Sequence, residues 1–291
     1  MPDLAPRAVT AGPSALRAYD FGAHLATWEV DDRPVVWCSE HARLDGSAAI
    51  RGGIPLCFPW FAAGPDGDLS PSHGPVRITA WHPDDPRDGE SLAWRLTSDD
   101  LHGIPGAEHF PGPFLLRYAV SLTPVAAQPG SHSLRAVLEV TGTGGEPITV
   151  EAALHTYLAV ADSTRATVEG LDGCDYLDKV GGERRTQDGP VRIEGETDRV
   201  YDRSGPVRLV DPAGERKILV EPRGATQTVV WNPGPEKAAG MADLGDDEWR
   251  SFVCVETAAT GSRALTVRPG DTVAIGCTVT PSFDDAPGVA R

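Results

Sequence analysis

The stretch LRAVLEV, Leu134–Val140, places four apolar side chains at every second position. TVAIGCTV, Thr272–Val279, and SLAWRLT, Ser91–Thr97, repeat the same alternation. A period of two residues is typical of a strand that buries one face, so each stretch predicts a strand. By the same criterion we expect strands at Phe114–Leu122, Ile148–Tyr157, Ile218–Glu221, Thr226–Trp231 and Phe252–Glu256.

The rest of the chain supports an all-β fold. Glycine occurs 32 times and proline 26 times along the whole length, and only Lys237–Trp249 suggests a turn or two of helix. Many short strands separated by such turns predict a β-sandwich or barrel. Because no segment has the composition of a linker, we expect one domain over residues 16–283, with loose termini at 1–15 and 284–291.

Composition limits the functional classes. The chain has 291 residues and a formal net charge of -16, which argues against non-specific binding to nucleic acid or anionic membranes. No run of about 18 apolar residues is long enough to span a membrane, and the first residues do not form a signal peptide. The five cysteines contain no CxxC pair and predict reduced thiols in a cytoplasmic protein. We expect a monomer.

Two residues on predicted strands could exchange protons. Glu256 shares a strand face with Phe252 and Cys254, so its carboxylate must lie in a cleft or find a partner. A solvent-exposed glutamate at the strand end is an equally good reading. His155 lies on the opposite face from Ala152 and Leu154, which points it away from the main core, and a purely structural histidine is also compatible.

A lone arginine stands beside an unusually apolar segment, IRGGIPLCFPWF, Ile50–Phe61. Arg51 precedes two glycines, which permit a tight turn and close approach to a ligand. Arg77 follows His73 and Gly74 in SHGPVR. Two converging guanidinium groups could bind a phosphate dianion through bidentate hydrogen bonds. Two surface arginines without a common ligand are the alternative.

Four segments together resemble a known family. They are IRGGIPLCFPWF, SHGPVRITAW (Ser72–Trp81), ALHTYLAV (Ala153–Val160) and WNPGPEKAAGMADLGDDEWRSFVCVETAA (Trp231–Ala259). Their order and wording resemble the glucose-6-phosphate 1-epimerases, or hexose-6-phosphate mutarotases, of the aldose 1-epimerase superfamily. The resemblance extends from about Gly22 to Thr280. It implies a large twisted antiparallel β-sandwich, the galactose mutarotase-like supersandwich, with a concave sugar site.

The resemblance also implies an activity and roles. Members interconvert the α and β anomers of a hexose 6-phosphate without a metal or cofactor, so the partner would be a small sugar phosphate. Glu256 corresponds to the base at O1 and His155 to the acid at the ring oxygen O5. The substrate-binding residues implied are Arg51 and Arg77 at the 6-phosphate, His73 and Asp198 beside the sugar, and Trp60 in a stacking wall.

Two departures and three alternatives accompany this interpretation. Pro75 and Gly234 stand where the family commonly has other residues, and Lys237 is read as structural, paired with the acidic run Asp243–Glu248.

The chain could act on an unphosphorylated aldose. It could be a non-catalytic sugar-phosphate-binding module, although such a module needs no acid–base pair. It could also be a structural β-sandwich, which would not need the arginines.

Overall fold

The computed structural model describes residues 4–84, 86, 89–125 and 131–284. Within these residues the chain forms twenty-three strands, numbered in chain order. The first eleven are β1 Pro6–Ala11, β2 Ser14–Tyr19, β3 His24–Val30, β4 Arg33–Val36, β5 Leu56–Cys57, β6 His82–Pro83, β7 Ser91–Thr97, β8 Phe114–Pro124, β9 His132–Gly142, β10 Ile148–Val150 and β11 Ala152–Leu154. The others are β12 Tyr157–Ala159, β13 Thr167–Glu169, β14 Asp175–Asp178, β15 Glu183–Thr186, β16 Val191–Arg192, β17 Thr197–Tyr201, β18 Val207–Asp211, β19 Arg216–Arg223, β20 Gln227–Asn232, β21 Phe252–Ala259, β22 Leu265–Val267 and β23 Thr272–Phe283.

Helices are short. One α-helix, α1, spans Gly234–Ala238, with Pro235 in its first turn, where proline is well tolerated. The 3₁₀ turns of the described residues are Val76–Ile78, Ser98–Leu101, Ala107–His109, Glu248–Ser251 and Gly261–Arg263. The helix expected over Lys237–Trp249 is therefore displaced: α1 begins before it, and only a 3₁₀ turn forms at its end.

Two antiparallel sheets carry the fold. In the described residues the first sheet has 12 strands and runs β1-β2-β3-β4-β12-β21-β20-β17-β14-β15, with β11 paired to β21 and β5 paired to β11. The second sheet has nine strands in the order β16-β13-β18-β19-β23-β9-β8-β7-β6. The pair β10–β22 forms a separate small ladder. Two-residue turns join some of the paired successive strands: Gly12 and Pro13 connect β1 to β2, and Asp31 and Asp32 connect β3 to β4.

The main core lies between the two sheets. It contains Trp28, Leu154 and Val255 from the first sheet and Tyr118 and Ile275 from the second, all at most 1% exposed. The alternation in β7, β9 and β23 turns one set of apolar residues towards this core, which confirms the strands predicted there. The first sheet also buries apolar clusters on its other face. That second buried face carries the candidate site.

One predicted strand is broken into three. The stretch Ile148–Tyr157 forms β10, β11 and the start of β12. β10 pairs with β22, whereas β11 and β12 both pair with β21 and differ in their other neighbours, β5 and β4. Glu151 and His155 fall at the interruptions. Because residues between strands are released from the regular ladder, His155 can turn towards the second face of the first sheet.

The N-terminal expectation needs a correction. The chain is not loose up to residue 15: β1 pairs with β2 from Pro6↔Tyr19 to Ala11↔Ser14. Val9 is buried in the main core, which explains why this edge strand is held. At the other end the Asp284 amide donates to the Glu215 carbonyl, and residues 285–291 lie outside the described range. The organisation as one domain over 16–283 stays a prediction.

All five cysteines are free, and three of them, Cys57, Cys254 and Cys277, are buried. Among the described residues, no helix is long and apolar enough to cross a membrane.

Candidate active site

Strand β21 divides its side chains between two environments. Val253 and Val255 belong to the main core, whereas Phe252 and Cys254 pack in a cluster on the opposite face. Glu256 follows on that opposite face and is only 2% exposed. Its Oε2 atom has no hydrogen-bond partner in the described structure. The sequence prediction that this carboxylate lies in a cleft, and not at an exposed strand end, agrees with this geometry.

His155 lies beside Glu256. Its Nδ1 atom is 3.5 Å from Glu256 Oε1, and its main-chain N–H donates to the Pro55 carbonyl at 3.0 Å. The imidazole stacks on Tyr157, with ring centroids 4.9 Å apart, and meets the edge of Trp231 at 5.5 Å. These contacts fix the ring next to the carboxylate, so a basic and an acidic group face one space.

That space is a cavity of about 550 Å³, within the size range of small-molecule sites. Six of the seven predicted site residues line it: Arg51, His73, Arg77, His155, Asp198 and Glu256. They come from segments up to 205 residues apart in the chain, and the first sheet brings them together.

Two contacts orient the side chain of Arg51, which lines the cavity. Its Nη1 atom donates to the Tyr157 hydroxyl at 3.0 Å, and its Nη2 atom is 3.2 Å from Asp243 Oδ2. The adjoining turn is tight, since a Cβ on Gly53 would lie 2.2 Å from the Leu25 carbonyl oxygen. The buried Nε atom has no partner among the described residues. Each terminal nitrogen keeps one N–H that these two contacts do not use, and these N–H groups can serve a ligand.

Arg77 reaches the same cavity from the 3₁₀ turn Val76–Ile78. It is half-buried, and no described carboxylate lies within ion-pair distance of it. This differs from Lys237, which also lines the cavity but pairs with Glu196 at 2.6 Å. The expected pairing of Lys237 with the run Asp243–Glu248 is wrong, because Asp243 of that run is bound to Arg51.

The charges around the pair shift both protonation equilibria. Burial, together with the nearby Asp198 carboxylate, raises the pKa of Glu256 well above its ordinary value, against the opposing pull of Lys179 and Arg77. Burial, reinforced by the Arg77 and Arg51 guanidinium groups, lowers the pKa of His155 well below its ordinary value. The unliganded site therefore favours a proton on the carboxyl group over a proton on the imidazole.

The structure does not bring Trp60 into this cavity, which corrects its expected stacking role. The indole is 2% exposed, donates from Nε1 to the Pro71 carbonyl at 2.9 Å and packs against His109 and Phe110. The aromatic residues that line the cavity are Phe61 and Trp231. In an almost wholly apolar segment, the sequence offers no alternation to separate Phe61 from Trp60.

Trp231, which lines the cavity, and Lys179, which lies beside it, were not predicted at the site. In β20 the three consecutive residues Val229–Trp231 are apolar, so no alternation indicates which face meets the cavity. The Lys179 ammonium lies 5.0 Å from the centre of the Phe61 ring, and its main-chain N–H donates to the Asp198 carbonyl at 2.8 Å. In the sequence, Lys179 ends the stretch GLDGCDYLDK, Gly170–Lys179, which has no local pattern that indicates a ligand site.

A second cavity, of about 630 Å³, is larger but lies elsewhere, beside β3, β4 and the turn around Glu248. It is lined by neither His155 nor Glu256, and the Glu248 carboxylate there is already used by Ser39 and the Glu40 amide. Size alone therefore does not identify the reactive site; the acid–base pair does.

Comparison with known proteins agrees with this geometry. A family model for aldose 1-epimerase matches residues 10–280. A Cenchrus ciliaris protein named "Putative glucose-6-phosphate 1-epimerase" is 33% identical over 267 residues, 87% of this chain and 77% of that protein. An Escherichia coli K12 protein of the same name is 32% identical over 247 residues, 81% of this chain and 77% of its own.

Solved structures support the same conclusion. The crystal structure of a "putative mutarotase" from Salmonella typhimurium superimposes with a TM-score of 0.82 at 27% identity, covering 97% of this chain and 95% of its own. A "galactose mutarotase related enzyme" from Lactobacillus acidophilus shares the fold, with a TM-score of 0.73 at 12% identity over 99% and 100% of the two chains. The expected galactose mutarotase-like, all-β fold is confirmed. The protein belongs to the aldose 1-epimerase family and is an isomerase with a sugar substrate.

Proposed function

We propose that the protein interconverts the α and β anomers of a hexose 6-phosphate, glucose 6-phosphate being the first candidate. The observation that carries this proposal is the 3.5 Å approach of His155 and Glu256 in a cavity that Arg51 and Arg77 also line. The pair supplies the proton transfers, and the two guanidinium groups supply recognition of a dianion.

The reaction needs one base and one acid. The Glu256 carboxylate accepts the proton of the C1 hydroxyl, and the protonated His155 donates a proton to O5 as the C1–O5 bond breaks. The product is an open-chain aldehyde, whose C1–C2 bond rotates to present the other face of C1. O5 then attacks C1, returns its proton to His155, and O1 recovers a proton from Glu256. Each positioned group contributes roughly 10²–10⁴-fold to the rate.

The arginines address an electrostatic difficulty. The chain carries a formal net charge of -16, and Asp198 and Glu256 face the cavity, so a phosphate dianion meets an unfavourable field. Asp243 compensates part of the charge of Arg51. Arg77, which has no carboxylate partner in the described part of the chain, is the stronger source of attraction.

Phosphate binding also changes the protonation equilibrium of His155, the proposed acid. Arg77 and Arg51 both lower the pKa of His155. A dianion bound to them offsets their charge and raises the pKa of His155, which favours the protonated imidazole that the reaction requires. Arg77 also lowers the pKa of Glu256, so the dianion raises that pKa too and opposes ionisation of the base. Because both arginines act on His155 and only Arg77 acts on Glu256, we expect the effect on the acid to be the larger one, so that phosphorylated sugar increases the rate at C1.

The names of the Cenchrus ciliaris and Escherichia coli relatives, which specify glucose 6-phosphate, support the choice of substrate. A monomeric state and a cytoplasmic location stay predictions.

The test is anomer exchange in glucose 6-phosphate, measured by exchange NMR at neutral pH, with the spontaneous rate subtracted. Wild type, Glu256→Gln and Arg51→Ala are compared, and glucose is the control sugar. We expect exchange that collapses in Glu256→Gln and that depends on Arg51 only for the phosphorylated sugar. Because Arg51→Ala leaves Asp243 unpaired, the double variant Arg51→Ala/Asp243→Asn is the control, and equal loss on both sugars in that variant would favour an unphosphorylated aldose. Tight binding without exchange would favour a sugar-phosphate-binding module.

A further inference from the structure

His73 is held by an unusual set of contacts at one ring nitrogen. The Ala62 main-chain N–H donates to Nδ1 at 3.1 Å, and the Cys57 sulfur lies 3.2 Å from the same atom. A main-chain N–H can only donate, so Nδ1 must present its lone pair. In a neutral imidazole the proton then resides on Nε2.

The thiol reinforces this assignment. Cys57 is fully buried, and burial raises the pKa of its thiol against the opposing influence of Arg77, so the sulfur keeps its proton. The S–H group can then donate to Nδ1 alongside Ala62. A protonated Nδ1 would instead direct its hydrogen at the Ala62 N–H, which nothing in this arrangement would compensate.

Main-chain hydrogen bonds fix the backbone of His73, and the Phe61 ring packs against its imidazole. The His73 N–H donates to the Ala62 carbonyl at 2.6 Å, and its carbonyl accepts from Phe58 at 3.1 Å. Gly74 follows with φ of 77°, and a Cβ there would lie 1.9 Å from the Phe58 carbonyl oxygen. Phe61 packs edge-on against the imidazole at 4.9 Å.

The other ring nitrogen is left for the cavity. His73 lines it, and no described residue forms a hydrogen bond to Nε2. The charged or titratable groups that act on the ring are Arg77, His155, Lys179 and Arg51, and all of them oppose a positive charge on it. Burial acts in the same direction, so the pKa of His73 lies well below its ordinary value.

We propose that Cys57 is a positioning residue which, together with the Ala62 main-chain N–H, holds His73 as a neutral imidazole whose Nε2–H donates to an oxygen of the bound sugar. The sugar contact rests on the function proposed above; the tautomer does not. In ring opening, negative charge develops on oxygen, and a neutral donor stabilises it without releasing its proton. His73 and His155 then have different tasks, because only His155 transfers a proton.

The first test is NMR of the full chain labelled with ¹⁵N-histidine, with the His73 signals assigned from their loss in His73→Gln. We expect an unprotonated Nδ1 and a protonated Nε2, unchanged from pH 5.5 to 8.5. The chain unfolded in denaturant, in which histidines titrate near pH ~6.5, is the reference. A protonated Nδ1, or a titration of His73 within this range, would overturn the assignment whether or not any sugar is turned over.

The second test concerns the sugar and Cys57. We expect His73→Leu to lower kcat/KM for glucose 6-phosphate by at least ~30-fold and His73→Gln, which keeps an N–H donor, by less, with the limbs of the pH profile unmoved. A limb that disappears in His73→Gln would show that His73 transfers a proton. Cys57→Ala is expected to lower kcat about threefold to tenfold, and Cys57→Ser to restore it. Equal rates in Cys57→Ala and wild type would refute the role of the thiol.

Discussion

Replacing Arg77 by methionine separates phosphate recognition from chemistry. Arg77 is the better choice than Arg51 because it has no carboxylate partner among the described residues, so its removal leaves no orphaned charge. Arg51→Met would instead leave Asp243 unpaired and only 20% exposed. Methionine keeps most of the side-chain volume in this half-buried position.

The magnitude follows from the contacts that Arg77 can make. A bidentate guanidinium–phosphate contact has two charge-assisted hydrogen bonds of about 1.5–3 kcal/mol each. Since the side chain is only half-buried, we take the lower half of the sum, about 3–4 kcal/mol. At 1.4 kcal/mol per factor of ten, this corresponds to a loss of roughly 10²–10³-fold in kcat/KM for glucose 6-phosphate.

The uncharged sugar should respond far less. Arg77 lowers the pKa of both His155 and Glu256, so its removal favours the protonated acid but opposes ionisation of the base, and the two effects offset each other. Turnover of glucose is therefore expected to change much less than turnover of glucose 6-phosphate. Exchange NMR on both sugars gives the two values, and Arg95→Met, an exposed arginine on β7 in the second sheet, is the matched control. A parallel fall on both sugars would refute the phosphate role.

Three other experiments test the role of Glu256, activation by a dianion and the packing of Gly74. In Glu256→Gln, exchange should fall roughly 10²–10⁴-fold. Because the folded state raises the pKa of Glu256, wild-type stability falls as pH rises above the unfolded pKa of about 4.3. The melting temperature of Glu256→Gln should therefore exceed that of wild type at pH 8 and converge with it near pH 4. Phosphite dianion added to D-xylose, which lacks C6 and the phosphate, should accelerate xylose anomer exchange in wild type but not in Arg77→Met; no acceleration in wild type would contradict activation by the dianion. Gly74→Ala should cost at least ~2 kcal/mol in urea unfolding, because its Cβ would meet the Phe58 carbonyl, and a wild-type midpoint would contradict that packing.

Alternation within single strands was the most informative property of the sequence. In β21 it assigned Glu256 to the face opposite Val253 and Val255, and the structure agrees. It also directed His155 away from Leu154. Both inferences need only local geometry, since successive side chains of a strand point to opposite faces.

Ion pairs between distant segments could not be predicted from the sequence in the same way. Nothing local indicates that Asp243 binds Arg51, or that Glu196 binds Lys237, because sheet topology decides which loops meet. The prediction of a stacking role for Trp60 was wrong for another reason. In an apolar segment without alternation, a residue that is buried outside the cavity, such as Trp60, cannot be distinguished from one that lines it, such as Phe61. The N-terminal strand β1 was missed because it contains a proline and few large apolar residues.

The double-sided burial of β21 has a consequence for protein engineering. Along this strand, even-numbered positions from Phe252 to Ala258 lie on the face that carries the candidate site, where Glu256 lines the cavity, and odd-numbered positions such as Val253 and Val255 lie in the main core. A library randomised at the even positions other than Glu256 would therefore change the support of the catalytic site, whereas one at the odd positions would change thermal stability. A single inserted or deleted residue would exchange the two sets and put a carboxylate into the interior, so the strand should accept substitution far more readily than a change of length.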